Sequence, residues 1–206
     1  MVTKQDNGLA AYQNARRLVI ALLLLFFGLV LVFVASAQSE QAHERIEAYG
    51  IMLIMIGIFG RLWSILYIGG RKSAEVVAVG PYSVTRNPLY LFSSVAAVGA
   101  GAQTGSLWVA VAFGVLCALA FHVVIRREEG YLRGKLGAAY RDYLARVPRF
   151  FPNPFIYRDL DLVSFEPRIL KRTLVDGLAF FVSIPFFEVL EWGQQSGSIP
   201  VLLRLH

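Results

Sequence analysis

Residues 106–125 read SLWVAVAFGVLCALAFHVVI, twenty positions without a Lys, Arg, Asp or Glu, and residues 126–148 continue as RREEGYLRGKLGAAYRDYLARVP. A helix of about 20 apolar residues is what the hydrocarbon core of a bilayer requires. The abrupt passage from an uncharged run to a dense mixture of both charge signs marks a membrane boundary, at which one helix leaves the lipid. Beyond it, Leu132, Leu136, Tyr140, Tyr143 and Val147 recur at helical spacing. They make one apolar stripe, with Arg133, Lys135, Arg141, Asp142 and Arg146 mostly off it, so the spacing predicts an amphipathic helix that Pro148 terminates.

Working outward, similar apolar runs cover Leu18 to Ala37 and Tyr49 to Ile68, the latter interrupted by Arg61. Leu89 to Thr104 is shorter and rich in small residues, as suits a span packed closely between others. Thr173 to Trp192 carries Asp176, Pro185 and Glu188 and reads either as a fifth span or as a hairpin lid. The whole chain is 56% hydrophobic, above the roughly 45–50% of soluble domains. The expected class is therefore all-α: a polytopic helical membrane protein with about five spans and a cytosolic amphipathic helix, one domain over residues 1–206. The first run is longer than a signal-peptide core and is expected to remain as a helix. Cys117 is the only cysteine, which excludes intramolecular disulfides and cysteine-based metal clusters.

The net charge of +6 would suit nucleic acid, but its placement argues otherwise. Seventeen of the twenty basic residues lie before the first run, between the second and third, or between Arg126 and Arg172, whereas the intervening loop holds Glu40, Glu44 and Glu47. By the positive-inside rule this predicts a cytosolic N-terminus, with the loop from Gly69 to Pro88 and the segment from Arg126 onward on the same side. The basic residues then meet anionic lipid headgroups, not nucleic acid. The expected location is the inner membrane of a bacterium or the endoplasmic reticulum of a eukaryote; oligomeric state is not legible.

Two constellations carry chemistry. Glu128 and Glu129 stand where the helix leaves the membrane, and His122, Arg126 and Glu129 are spaced to share a helix face. The same pattern also fits a solvated helix whose arginines snorkel to headgroups. The second constellation is the loop Gly80 to Tyr90, where Asn87 and Pro88 form a helix start and Arg86 offers a bidentate anion contact. Arg86 equally fits a positive-inside residue, and Tyr90 an interfacial aromatic. Arg61 is costly inside a span, so a substrate or ion-pair role stands beside simple snorkelling. Gly99 and Gly101 lack the strand-turn-helix context of a dinucleotide loop and are expected to serve helix packing.

In this order and spacing, Arg86-Asn87-Pro88-x-Tyr90 followed by Glu128-Glu129-x-x-Leu132 and Leu136-Gly137-x-x-Tyr140-x-x-Tyr143-x-x-x-Val147-Pro148 resembles the isoprenylcysteine carboxyl methyltransferase and phospholipid methyltransferase superfamily. The resemblance covers roughly Gly80 to Pro152. With the apolar runs, it gives a four-span core over residues 18–125 and a cytosolic cofactor-binding helix and Pro-rich segment over 126–154, while the additional hydrophobic helix or hairpin over 173–192 lies beyond the usual end of the family core. It further implies S-adenosylmethionine as cofactor, bound by Tyr82, Arg86, Asn87, Pro88, Tyr90, His122, Glu128 and Glu129, with Arg86, Arg126 and Glu129 at the reacting groups. No metal is called for. The substrate implied is lipid-like or prenylated, keeping its tail in the bilayer. Asn87 replaces the His usual in the isoprenylcysteine branch and looks more like the phospholipid branch, whereas the glutamate-bearing helix looks more like the former, so the acceptor atom stays open. A non-catalytic scaffold with the same fold is the alternative.

Overall fold

The computed structural model describes residues 28, 31–70 and 74–205. Most of the predicted first span, Leu18 to Ala37, lies outside these residues; where its end is described, the helix stops at Val32 and Val34–Ser36 forms a strand, β1. The other elements are α1 (Glu40–Ile68), a single turn α2 (Pro81–Val84), α3 (Pro88–Ala102), α4 (Leu107–Arg146), α5 (Pro167–Leu178), α6 (Ser183–Gln195) and β2 (Leu203–Leu205). The class is the all-α one expected, with one addition: β1 and β2 pair in parallel, Val34 opposite Leu203 and Ser36 opposite Leu205. Three-residue strands give periodicity nothing to work on, which is why the pair escapes a reading of the sequence.

Helix α1, helix α4 and the stretch Pro167–Gln195 are each long and apolar enough to cross a membrane, and α3 is a shorter apolar helix. Their outer faces are apolar, with Phe59, Trp108, Leu119 and Val189 all more than half exposed. Water would penalise that surface; lipid accommodates it. Contact between helices is made instead by small residues. A Cβ on Gly57 would meet that of Ala96 at 2.5 Å, and one on Gly99 would meet the Gly50 carbonyl oxygen at 2.5 Å, so α1 and α3 pack backbone to backbone in antiparallel sense. Gly99 and Gly101 are thus packing residues, as expected. On the other face of α3, a Cβ on Gly101 would lie 2.9 Å from the Cα of Ala110 in α4.

Helix α4 continues from the apolar run into the amphipathic segment, as the sequence predicts, and Tyr140, Tyr143 and Val147 bury the stripe against Val76 and Ala78. It is not straight, however. Gly137 adopts φ 61°, ψ −131°, a conformation open to glycine, and the last turns are re-aimed there toward the loop. The run from Thr173 to Trp192 folds as part of one continuous rod, not a hairpin: α5, a 3₁₀ stretch Ala179–Val182 and α6 follow one another. The tightened stretch sits before Pro185, which offers no N–H to the preceding turn. This rod starts beside Gly69 and Gly70, against Ile169 and Glu166, and brings Glu191 to His43 near the start of α1. It therefore runs antiparallel to α1 along its length.

Candidate functional site

The loop before α3 is held by a strap. Pro148 and Pro152 keep the chain after α4 extended as far as a single 3₁₀ turn at Pro154–Ile156, and the extended backbone turns to the loop for partners. The Arg86 amide donates to the Pro148 carbonyl at 2.9 Å, the Asn153 amide to Val84 at 2.9 Å and the Gly80 amide to Arg158 at 2.7 Å. Side chains add to it: Thr85 donates to the Phe150 carbonyl at 3.0 Å, Asn87 Nδ2 to the Arg149 carbonyl at 2.8 Å, and Ser83 Oγ accepts from the Arg158 amide at 3.0 Å. Further along, Tyr67 and Tyr157 donate to the two oxygens of Asp159 at 2.6 and 2.5 Å. The Tyr157 hydroxyl foremost, with that of Tyr67, holds the Asp159 carboxyl below the usual carboxylate range.

This strap places Arg149 beside the first constellation. Glu129, only 4% exposed, receives Arg86 Nη1 at 3.1 Å on one oxygen and Arg149 Nη2 at 2.9 Å on the other, with Arg149 Nε 3.2 Å from both. One buried carboxylate thus ties three pieces of chain: the loop, α4 and the strap. Its hydrogen bonds hold the Arg149 guanidinium above the ordinary arginine range. Glu128, its neighbour, accepts from the Tyr90 hydroxyl of α3 at 2.9 Å. Tyr143 of α4 donates to the Tyr82 carbonyl at 2.8 Å, closing the floor.

Between these groups lies a cavity of ≈ 260 Å³. Arg86, Asn87, Tyr90, Glu128, Glu129 and Tyr82 line its polar part; Ile65, Leu89, Phe121, Leu132 and Leu136 line its apolar part, and Arg61 with Ser93 its inner end. Arg61 Nη1 donates to Ser93 Oγ. Three buried donors facing this region, Arg61 Nε, Tyr82 Oη and Arg86 Nε, find no hydrogen-bond partner among the described residues. Buried donors are rarely left so, and here they are the donors an anionic or acceptor-rich ligand would satisfy.

The two predicted constellations therefore converge, with three departures. His122 and Arg126 are exposed and do not line the cavity. The ridge of α4 that lines it runs through Phe121, Glu128 and Leu132, one residue round from the face that His122 and Arg126 share, and neither of these two is covered by another element among the described residues. Pro88 is fully buried as the first residue of α3 and acts on the backbone alone. Asn87 precedes α3, but its side chain bonds the strap and not the helix N–H groups. Sequence reasoning missed Arg149, one position beyond the proline that ends α4. Nothing in its spacing marks it, because its place is set by a strap whose path is tertiary.

The phospholipid methyltransferase family model matches residues 45–139, which contain the loop, α3 and the glutamate pair. The chain is 32% identical over 180 residues to the nickel-cobalt-cadmium resistance protein NccN of Alcaligenes xylosoxydans xylosoxydans, covering 85% of this chain and 84% of the relative. It is 34% identical over 131 residues to the cobalt-zinc-cadmium resistance protein CzcN of Cupriavidus metallidurans, covering 64% of this chain and 60% of that protein. No solved structure matches.

Proposed function

Since the chain belongs to the phospholipid methyltransferase family, with its membrane methyltransferase fold, we propose that it transfers a methyl group from S-adenosylmethionine to a lipid-like or prenylated acceptor at the cytosolic face of the membrane. The observation that carries this reading is the single cavity lined by both motifs, polar toward Arg86 and Glu128 and apolar toward Leu89, Phe121 and Leu136. The residues fit the cofactor. Arg86 has a buried Nε donor to spare, which suits the carboxylate of its amino-acid end, and Glu128 in the same wall suits the ammonium. When bound, the cofactor supplies an electrophilic sulfonium methyl.

The protein's own contribution is placement. Glu129 is saturated by two guanidinium groups, so it acts through Arg86 and Arg149 rather than on the ligand. Tyr90 orients Glu128, and the strap holds the loop that carries Arg86. The apolar wall receives the acceptor's tail, leaving its polar head beside Arg86. An acceptor carboxylate attacks as the anion; an amine would give up a proton, for which the Glu128 carboxylate in the same wall is a base. The relatives' names favour tolerance of divalent metal ions as the setting in which this activity serves the cell.

The test is methyl transfer from labelled cofactor into native membrane extract, partitioned between organic solvent and water. Label is expected in the solvent phase and is expected to vanish in Arg86→Ala. Label confined to water-soluble molecules would refute the lipid acceptor. If calorimetry shows that the purified protein does not bind S-adenosylmethionine at all, the non-catalytic scaffold is the correct reading.

A further inference from the structure

The other end of the bundle holds a second constellation that methyl transfer does not use. In the first turns of α1, His43 and Glu47 stand one turn apart, and the end of α6 brings in Glu191. His43 Nε2 lies 3.1 Å from Glu47 Oε1 and 3.4 Å from Glu191 Oε2, and the three ligand atoms all lie within 4.8 Å of one another. We propose that His43, Glu47 and Glu191 form a binding site for a divalent transition-metal ion of the zinc, cobalt and nickel class.

The geometry supports this on three counts. Metal–ligand bonds of about 2.0–2.2 Å in a tetrahedron put neighbouring ligand atoms roughly 3.3–3.6 Å apart, close to the separations between the imidazole and each carboxylate. An ion could enter with little movement of either helix. One neutral imidazole with two carboxylates also balances a divalent charge, and a nitrogen and oxygen donor set selects borderline cations over calcium or magnesium.

The second count is that the imidazole is held with its Nε2 edge toward the carboxylates. Its other edge rests on the turn between α3 and α4, where Gly105 has φ +64°; a Cβ there would stand 2.1 Å from His43 Nδ1. Only glycine leaves room for the ring in that place and tolerates that backbone. A histidine whose sole purpose was to pair with Glu47 on an exposed helix would need no such cradle.

The third is access. The three ligands line a cavity of ≈ 660 Å³, far larger than the one at the motif end, and Glu40, Glu44 and Glu188 line it as well. Five carboxylates against Arg204 and His43 make a wall that concentrates cations, and the space leaves room for water in the remaining coordination positions. Glu191 is further fixed by Gln195 Nε2, which donates to its other oxygen at 3.1 Å and leaves Oε2 for the ion. The site lies about 27 Å along α1 from Arg61, eighteen residues at 1.5 Å each, so it is separate from the methyl-transfer cavity.

The experiment is titration of the full chain, purified in detergent without a histidine tag, with Co²⁺ alone, followed by visible absorption and by equilibrium dialysis. One ion per chain is expected, with the absorption of a low-coordinate N/O site and at least a tenfold loss of affinity in Glu191→Gln and Glu47→Gln. His43→Ala should do the same, but it also empties the Gly105 cradle, so the two isosteric variants, which keep side-chain volume, carry the decision. Binding of S-adenosylmethionine, measured in parallel, should be the same in wild type and both glutamine variants. Failure of cofactor binding in every sample would count against the methyl-transfer reading and leave the metal site standing. No uptake of Co²⁺ by the wild type, or equal uptake by wild type and both glutamine variants, overturns the proposal.

Discussion

The two ends of the bundle are built from the same helices and differ in how their charges are used. At the motif end, arginine and glutamate are buried and matched: Glu129 is wrapped by Arg86 and Arg149, and a strap of backbone hydrogen bonds seals the group. At the far end, carboxylates outnumber bases, the walls are half open, and His43 is the one group set among the acids with its ring pinned. A buried ion pair is strongly coupled to the fold, because removing one partner strands the other in a medium that cannot solvate it. An open acidic wall is weakly coupled to the fold and free to bind a cation from outside. The same membrane scaffold thus separates a site whose charges are matched within the fold from one whose acidic charge is left for a cation.

The largest effect that would sharpen this contrast is expected from Glu129→Ala. It strands the buried Arg86 and frees the strap, and should cost about 3–5 kcal/mol of stability, by analogy with broken buried pairs. Denaturant titration in mixed micelles would show it, and Glu191→Ala at the open end should shift the same curve little. Equal losses at both ends would break the comparison. Tyr90→Phe is a smaller cut: it removes a hydroxyl from Glu128 at 2.9 Å and should weaken cofactor binding by the ~0.5–1.5 kcal/mol of one hydrogen bond, read by calorimetry. The smallest effect concerns acid. Because Tyr157 and Tyr67 hold the Asp159 carboxyl below its usual range, the tether they form is intact above the ordinary aspartate value near 3.9 and is lost as pH falls through the lower folded-state value. Hydrogen exchange at Leu160, whose amide donates to Asp159 at 2.8 Å, should quicken below that value in wild type, beyond the intrinsic pH dependence, and be quick already at neutral pH in Asp159→Asn.

Legibility followed the length scale of each feature. Helices α1, α3 and α4 and the rod through α5 and α6 announced themselves by long apolar runs, because lipid rewards uninterrupted hydrophobicity and backbone bonds must close within the segment. Arg86, Tyr90, Glu128 and Glu129 were legible because loop and helix exit lie close to the spans that position them. His122 and Arg126 were grouped with Glu129 by helical spacing, but spacing gives the angle around a helix and not which arc another element covers. Arg149 needed the strap, and the three-way contact of His43, Glu47 and Glu191 needed the antiparallel return of α6.

What the sequence determined by itself is the membrane class, the long apolar helices and the residue types at the two motifs, since these follow from local composition and period. The tertiary structure alone decided which charges meet. Glu129 faces two arginines because Pro148 and Pro152 keep residues 147–153 off any helix and the loop offers that stretch hydrogen-bond partners. Glu191 faces His43 because small-residue packing fixes the helices at a depth that brings the end of α6 level with the start of α1. Both are contacts between residues far apart in the chain, and only the packed bundle sets the distances on which their electrostatics depend.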